Sequence, residues 1–130
     1  MIFMTKFVDS DVIIFASTYN PKQDVCFNFI KTEDIIVNTL VLLECLSKII
    51  TITKNEEFAV NTIKSLYKSG NIEIVDFDKD LLFEAMKKSG KTQLKISDLI
   101  HYTTALTKEC ISIISYDRHF DNLNIKREEP

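Results

Sequence analysis

A chain of 130 residues, 45% hydrophobic and 27% charged with two glycines and two prolines, has the make-up of one folded domain with a real core. That composition excludes long linkers, collagen-like repeats and extended disorder. The net charge of −3 excludes a surface built for non-specific nucleic-acid binding, so any such contact must be local.

The first strand covers Lys6 to about Asp9 and runs straight into Ser10 and Asp11. A short apolar helix near Val12 to Ser17 follows. Asn20-Pro21 predicts a cap with Pro at the first helical position, opening a helix to about Lys31. Ile35-Ile36-Val37, between Asp34 and Asn38, reads as a short buried strand. Asn38 or Thr39 caps a helix from Leu40 to about Thr51, apolar on nearly every side and therefore expected to be deeply packed. Asn55-Glu56-Glu57 opens the next helix, and Gly70 is expected to end it in the left-handed conformation. Ile72 to Val75 is a third strand. Asp78 caps a helix through about Ser89, stopped by Gly90. After a connection carrying Lys87, Lys88, Lys91 and Lys95, Ser97-Asp98 opens a helix to about Lys108. Ile111 to Ser115 is a fourth strand, and a short last strand lies near Asn124 to Lys126. Strands that are short continuous apolar runs, alternating with helices, predict one α/β domain over residues 1–130 with a mainly parallel sheet covered on both faces.

Cys26, Cys45 and Cys110 are far apart, odd in number and set among apolar residues, so they read as buried thiols and neither as disulfides nor as a zinc site. The longest oily segment, Leu40 to Ile52, is broken by Glu44 and Lys48, and no signal-peptide pattern opens the chain. The expectation is a soluble cytoplasmic protein without membrane contact.

Four acids stand out by position. Asp9 and Asp117 end the first and fourth strands, Glu44 lies inside an apolar helix, and Asp98 lies at a helix start. Each has a plain structural alternative: a helix cap for Asp9, an i, i+4 pair with Lys48 for Glu44, the helix dipole for Asp98, a turn for Asp117. Parallel topology puts the ends of strands one and four on one rim, where ligands bind. Carboxylates gathered there repel and raise one another's pKa. A hard divalent cation relieves that and activates water toward a phosphodiester. The lysines from 87 to 95 are either a solvated loop or a phosphate-gripping edge beside the acidic centre.

These segments resemble the PIN-domain ribonucleases, in particular VapC-like toxins of prokaryotic toxin–antitoxin pairs. Phe7-Val8-Asp9-Ser10-Asp11-Val12 resembles the opening motif, and Glu44 within Val41-Leu42-Leu43-Glu44-Cys45-Leu46 the helical acid. Ile96-Ser97-Asp98-Leu99-Ile100 with Thr104-Ala105 resembles the third motif, and Ile113-Ile114-Ser115-Tyr116-Asp117-Arg118-His119-Phe120 the fourth. The resemblance implies a three-layer α/β/α fold with a five-stranded parallel sheet. It implies Mg²⁺- or Mn²⁺-dependent RNA cleavage in which Asp9, Glu44 and Asp98 are metal ligands and Asp117 ligates or orients a second metal or the water. Ser10 and Ser115 would support the carboxylates, and a VapB-like antitoxin would be the partner. The oily helix faces suggest a homodimer. The chain departs from the pattern with His119 where many relatives carry an acid, and Asp11 where Asn is common. His119 reads as a local hydrogen-bonder and His101 as a helix-surface residue.

Two other readings compete. Asp9-Ser10-Asp11-Val12 also resembles the opening of haloacid dehalogenase-type phosphatases, with Asp9 as nucleophile, Asp11 as acid/base, and Asp117 and Asp121 as the late acid pair. That leaves Glu44 without a role and little room for a cap domain. A non-catalytic PIN-fold module binding RNA or protein is the other, because fold does not fix function.

Overall fold

The computed structural model describes residues 4–130, so the first three residues of the expected domain lie outside the described residues. Five strands, β1 (Lys6–Val8), β2 (Ile35–Asn38), β3 (Ile72–Val75), β4 (Ser112–Ile114) and β5 (Lys126–Glu128), form one sheet in the order β3-β2-β1-β4-β5. Every pairing is parallel, with Phe7 facing Ile36 on one side and Ile113 on the other. The central strands β1, β2 and β4 are buried on both faces, with Phe7, Val8, Ile113 and Ile114 wholly enclosed, and the edge strands β3 and β5 are half-exposed. Burial of a side chain of this size is worth roughly 1.5–3 kcal/mol.

Parallel neighbours need crossovers, and these are helical. Helices α1 (Ser10–Ser17) and α2 (Gln23–Thr32) link β1 to β2, and α3 (Thr39–Thr53) and α4 (Glu56–Lys68) link β2 to β3. The chain then reverses direction across the sheet through α5 (Lys79–Met86) and α6 (Ile96–Thr107) to reach β4. Right-handed crossovers running in opposite directions place the two helix groups on opposite faces. α1 packs on α2 and α3, whereas α6 lies over β1, β2 and β4. The result is the expected three-layer α/β/α fold. The switch point, where chain direction across the sheet reverses, falls between β1 and β4. All three cysteines are buried free thiols. Among the described residues no helix is long and apolar enough to cross a membrane.

Several local expectations are corrected. Asn20-Pro21 forms a turn, and α2 begins after it: the Asn20 side chain is spent on the Phe15 and Thr18 carbonyls and on the Lys22 N–H. α5 ends at Met86, because residues beyond it tighten into i−3 turns before Gly90, the glycine with positive φ (+80°). Gly70 does not take the left-handed conformation. α4 is closed by Ser69 in an extended conformation, its N–H bonded to the Leu66 carbonyl. The left-handed helix end is instead Lys54 (φ 55°), whose N–H reaches the Ile50 carbonyl. α3 is not packed all round: Val41, Leu42, Cys45 and Ile49 are buried, but Leu43 is 58% exposed. β5 starts two residues later than expected, since Ile125 is buried as a core plug without pairing.

Candidate active site

β1 delivers its chain end to the rim with Val8 wholly buried, and Asp9 then turns the backbone into α1. Asp9 uses its two oxygens differently. Oδ1 accepts from the Ser10 N–H at 2.8 Å, which is the capping role; Oδ2 accepts from the Ser115 hydroxyl at 2.8 Å, which ties β1 to the end of β4. Ser10 thus reaches Asp9 through its backbone N–H. The Ser115 hydroxyl also accepts from the Asp117 N–H at 3.0 Å, so one buried serine joins two of the four expected acids. Asp11 Oδ2 accepts from the Tyr116 N–H at 2.9 Å, and its Oδ1 is buried with no partner among the described residues. Arg127 of β5 braces this corner from outside by donating to the Ser115 carbonyl.

Glu44 stands half-buried on α3, and its partner is not Lys48 but His101, with His101 Nε2 2.8 Å from Glu44 Oε1. Asp98 occupies the first turn of α6, and His101 follows three residues later on the same face. The surface expectation for His101 is overturned: it is 0% exposed, within an unbroken buried run from Leu99 to Ala105. α6 covers the centre of the sheet, so it has almost no wet face in this stretch. The local sequence carries no signal for this, because Tyr102, Thr103 and Thr104 are as buried as their apolar neighbours.

The four expected acids line one open cleft of ≈ 460 Å³ with Asp11, Ser10, Ser97, Phe15, Tyr116 and Lys95. Their electrostatics follow from crowding in a partly dry place. Burial raises the Asp9 pKa, opposed by His101 and by hydrogen bonds from Ser115 and Ser10. Burial, then the Asp9 charge, pushes Asp11 up to about 7; the same two causes push Asp98 up to about 6. Such carboxylates ionise together only with a compensating cation. Carboxylate oxygens of Asp9 and Asp98 and a ring nitrogen of His101 come within 4.8 Å of one another. Glu44 and Asp117 line the same cleft outside this tightest grouping. A hard oxygen donor set and the unpartnered Asp11 oxygen fit a hard divalent cation.

The lysine run is divided. Lys95 lines the cleft; Lys87 pairs with Glu84 at 3.0 Å and lies over the Phe83 ring. Lys88 reaches the Glu84 carbonyl, and Lys91 is exposed in the following turn. A cation missed in the sequence is Lys22, whose ammonium lies 4.2 Å from the Tyr116 ring centroid and 4.9 Å from that of Phe15, two rings of the cleft wall. Nothing local marks Lys22, since all three residues meet only in the fold. His119 bonds locally: its backbone N–H donates to Asp117 Oδ1 at 2.9 Å, and its ring Nδ1 lies 3.0 Å from the same oxygen. Asp121 is held by Arg127 at 2.7 Å and is absent from the cleft wall.

A family model described as PIN domain matches residues 6–126. The chain belongs to the PIN domain family. Solved structures carry the same fold at low sequence identity. VapC20 of Mycobacterium tuberculosis, described as a sarcin-ricin loop cleaving toxin, aligns with this PIN domain at TM-score 0.80 and 13% identity, covering 96% of this chain and 99% of that one. VapBC2 of Rickettsia felis, bound to a DNA fragment from its promoter, aligns at TM-score 0.71 and 16% identity, covering 97% and 98%. FitAcB of Neisseria gonorrhoeae aligns at 0.67 and 14%, covering 96% and 97%. No curated protein matches the sequence.

Proposed function

We propose that this PIN domain is a metal-dependent endoribonuclease, a VapC-like toxin that cuts RNA phosphodiester bonds with Mg²⁺ or Mn²⁺ and is neutralised by a VapB-like antitoxin. The single observation that carries the reading is the cleft: Asp9, Glu44, Asp98 and Asp117, drawn from four separate elements, line one open space at the switch point of the sheet. Acids placed only to cap or solvate their helices have no reason to converge.

In this reading Asp9, Glu44 and Asp98 hold the cation, and Asp117 ligates or orients a second cation or the water. When bound, the cation supplies positive charge at the scissile phosphate and makes water a better nucleophile. The protein's own part is preorganisation. Ser115 fixes Asp9 Oδ2 and the Asp117 backbone relative to each other, and His119 restrains Asp117 Oδ1. Lys95, with Lys87, Lys88 and Lys91 further along the same connection, offers phosphate contacts that a net-acidic protein must concentrate locally. Lys22, without an acid partner among the described residues and seated on two cleft-wall rings, is a second such contact.

The domain acts as a single unit over residues 1–130, in the cytoplasm. Two of the similar structures are described as VapBC2 and as a toxin–antitoxin complex, which supports an antitoxin partner. Phe27 of α2, Leu43 of α3 and Phe58 of α4 are exposed, which supports contact with an antitoxin or a second copy. The phosphatase reading is not favoured: Asp121 is engaged by Arg127, and Asp11 points an oxygen inward.

The test is cleavage of a mixed tRNA and mRNA pool with Mn²⁺ or Mg²⁺, comparing wild type, Asp9→Asn and an EDTA control. Internal cuts that vanish in the variant and with EDTA are expected. No cutting by folded, antitoxin-free, metal-loaded protein overturns the nuclease and returns weight to the binding module.

A further inference from the structure

We propose that His101 is a positioning residue and not a cation ligand: braced from behind by Asn38, it donates its Nε2–H to Glu44 and fixes that carboxylate at the cleft. The inference rests on the reading that Glu44 serves the cation. Distance alone suggests otherwise, since a His101 ring nitrogen lies within 4.8 Å of carboxylate oxygens of Asp9 and Asp98, which looks like a three-ligand site.

The hydrogen-bond network decides against it, beginning at Asn38. Its Oδ1 accepts from the Val41 N–H at 2.8 Å as the cap of α3, which fixes which way the amide is turned. Its Nδ2 therefore faces Thr104 Oγ1 at 3.0 Å and His101 Nδ1 at 3.1 Å. The Thr104 hydroxyl gives its proton to the Ile100 carbonyl at 2.8 Å and so accepts from Asn38. An amide nitrogen only donates, so His101 Nδ1 must accept. The ring proton of this tautomer is then on Nε2, aimed at Glu44 Oε1 at 2.8 Å. A nitrogen that carries a proton has no lone pair for a cation.

The brace is rigid. Asn38 and His101 are 0% exposed and Thr104 is 1% exposed. The His101 ring lies 5.6 Å from the Phe7 ring, centroid to centroid, at the buried end of β1. Three elements, β2, α3 and α6, are thus joined through one imidazole, and Glu44 is held by one oxygen, the other having no hydrogen-bond partner among the described residues. Groups that orient a metal-binding side chain in this way typically change affinity or activity about 10- to 100-fold when removed.

Two measurements on the wild type need no variant to fold. Long-range ¹H–¹⁵N correlation of the metal-free protein, with His119→Gln used to assign the second imidazole, is expected to show His101 protonated at Nε2. Pulsed EPR of the Mn²⁺-loaded protein is expected to show no coupling from a directly bound imidazole nitrogen. His101→Ala should weaken Mn²⁺ binding and lower kcat about 10- to 100-fold with KM for RNA little changed. His101→Gln, which keeps an N–H donor, should recover part of both. A proton on Nδ1, or a bound-imidazole coupling that disappears in His101→Ala, overturns the proposal. Failure of wild type to bind Mn²⁺ is a separate result: it overturns the nuclease reading, while the imidazole spectrum still decides the brace.

Discussion

Asp9 and Asp117 stand at the ends of adjacent parallel strands, yet Asp9 is 6% exposed and bonded through both oxygens, whereas the Asp117 side chain is 36% exposed and bonded within its own turn. The same contrast divides the cleft. On the inner side, Asp9, Asp11, Ser115 and His101 are packed between α1, α6 and the sheet and are held by groups distant in sequence. On the outer side, Asp117, His119 and Lys95 reach solvent from short connections. The inner side carries precision and unrelieved charge together; the outer side carries access. On the proposed reading the site needs both, because a cation would be gripped tightly while a long flexible polyanion comes and goes.

Variants sharpen this contrast, and the largest effect belongs to Asp9. Asp9→Asn should lower RNA cleavage by about 100- to 1,000-fold, the scale for removing one preorganised electrostatic group. The metal-free variant should be at least as stable as wild type at pH 8 by thermal unfolding, because a charge that burial disfavours is gone. A large loss of both activity and stability would instead make Asp9 a cap with no further duty.

The pH dependence of the metal-free protein comes next. The folded-state pKa values of Asp11 and Asp98 lie above the ordinary carboxylate value of 3.8, at about 7 and about 6. The folded state therefore binds more protons than the unfolded state across that window. Their contribution is fully present below about pH 4 and is lost as pH rises through 6 and 7. Saturating Mn²⁺ should raise the melting temperature more at pH 8 than at pH 5, since cation and proton compete for these oxygens. Equal shifts at both pH values would break the link between charge crowding and cation binding.

Ser115→Ala removes one hydroxyl that serves both strand ends and leaves Asp9 Oδ2 and the Asp117 N–H unpaired. The expected cost is about 1–3 kcal/mol in urea unfolding. Asp117→Ala, on the wetter side, should stay within about 0.5 kcal/mol while still lowering cleavage. Smallest is Lys95→Ala, which should reduce the salt dependence of RNA binding by about 0.7 in the log–log slope, one phosphate contact's worth on a single strand. An unchanged slope would place the RNA path elsewhere.

The sequence made the alternation of strands and helices readable because that pattern is local: short apolar runs, polar ends and caps at Asn38, Asn55 and Asp78 that the structure retains. Asp9, Glu44, Asp98 and Asp117 were legible for the same reason, as acids where apolar runs end or where an apolar helix should not contain them. What was illegible depends on partners far along the chain. His101 is separated from Glu44 by 57 residues and from Asn38 by 63, so no periodicity could place it inside. Lys22 becomes a cleft cation only when α2 packs beside Tyr116. Gly70 misled because a glycine after a helix is usually its left-handed end, and here Ser69 had already closed the helix.

Cation binding by the gathered carboxylates is tested most directly by a calorimetric titration of Mn²⁺ into the metal-free protein, its Asp9→Asn and Asp98→Asn variants, and Asp121→Asn as the acid outside the cleft. Such a site predicts binding by wild type and Asp121→Asn, and affinity lowered about 10-fold or more in each of the two cleft variants. Affinity unchanged by Asp9→Asn and Asp98→Asn would contradict it, because the gathered carboxylates would then not be what holds the cation.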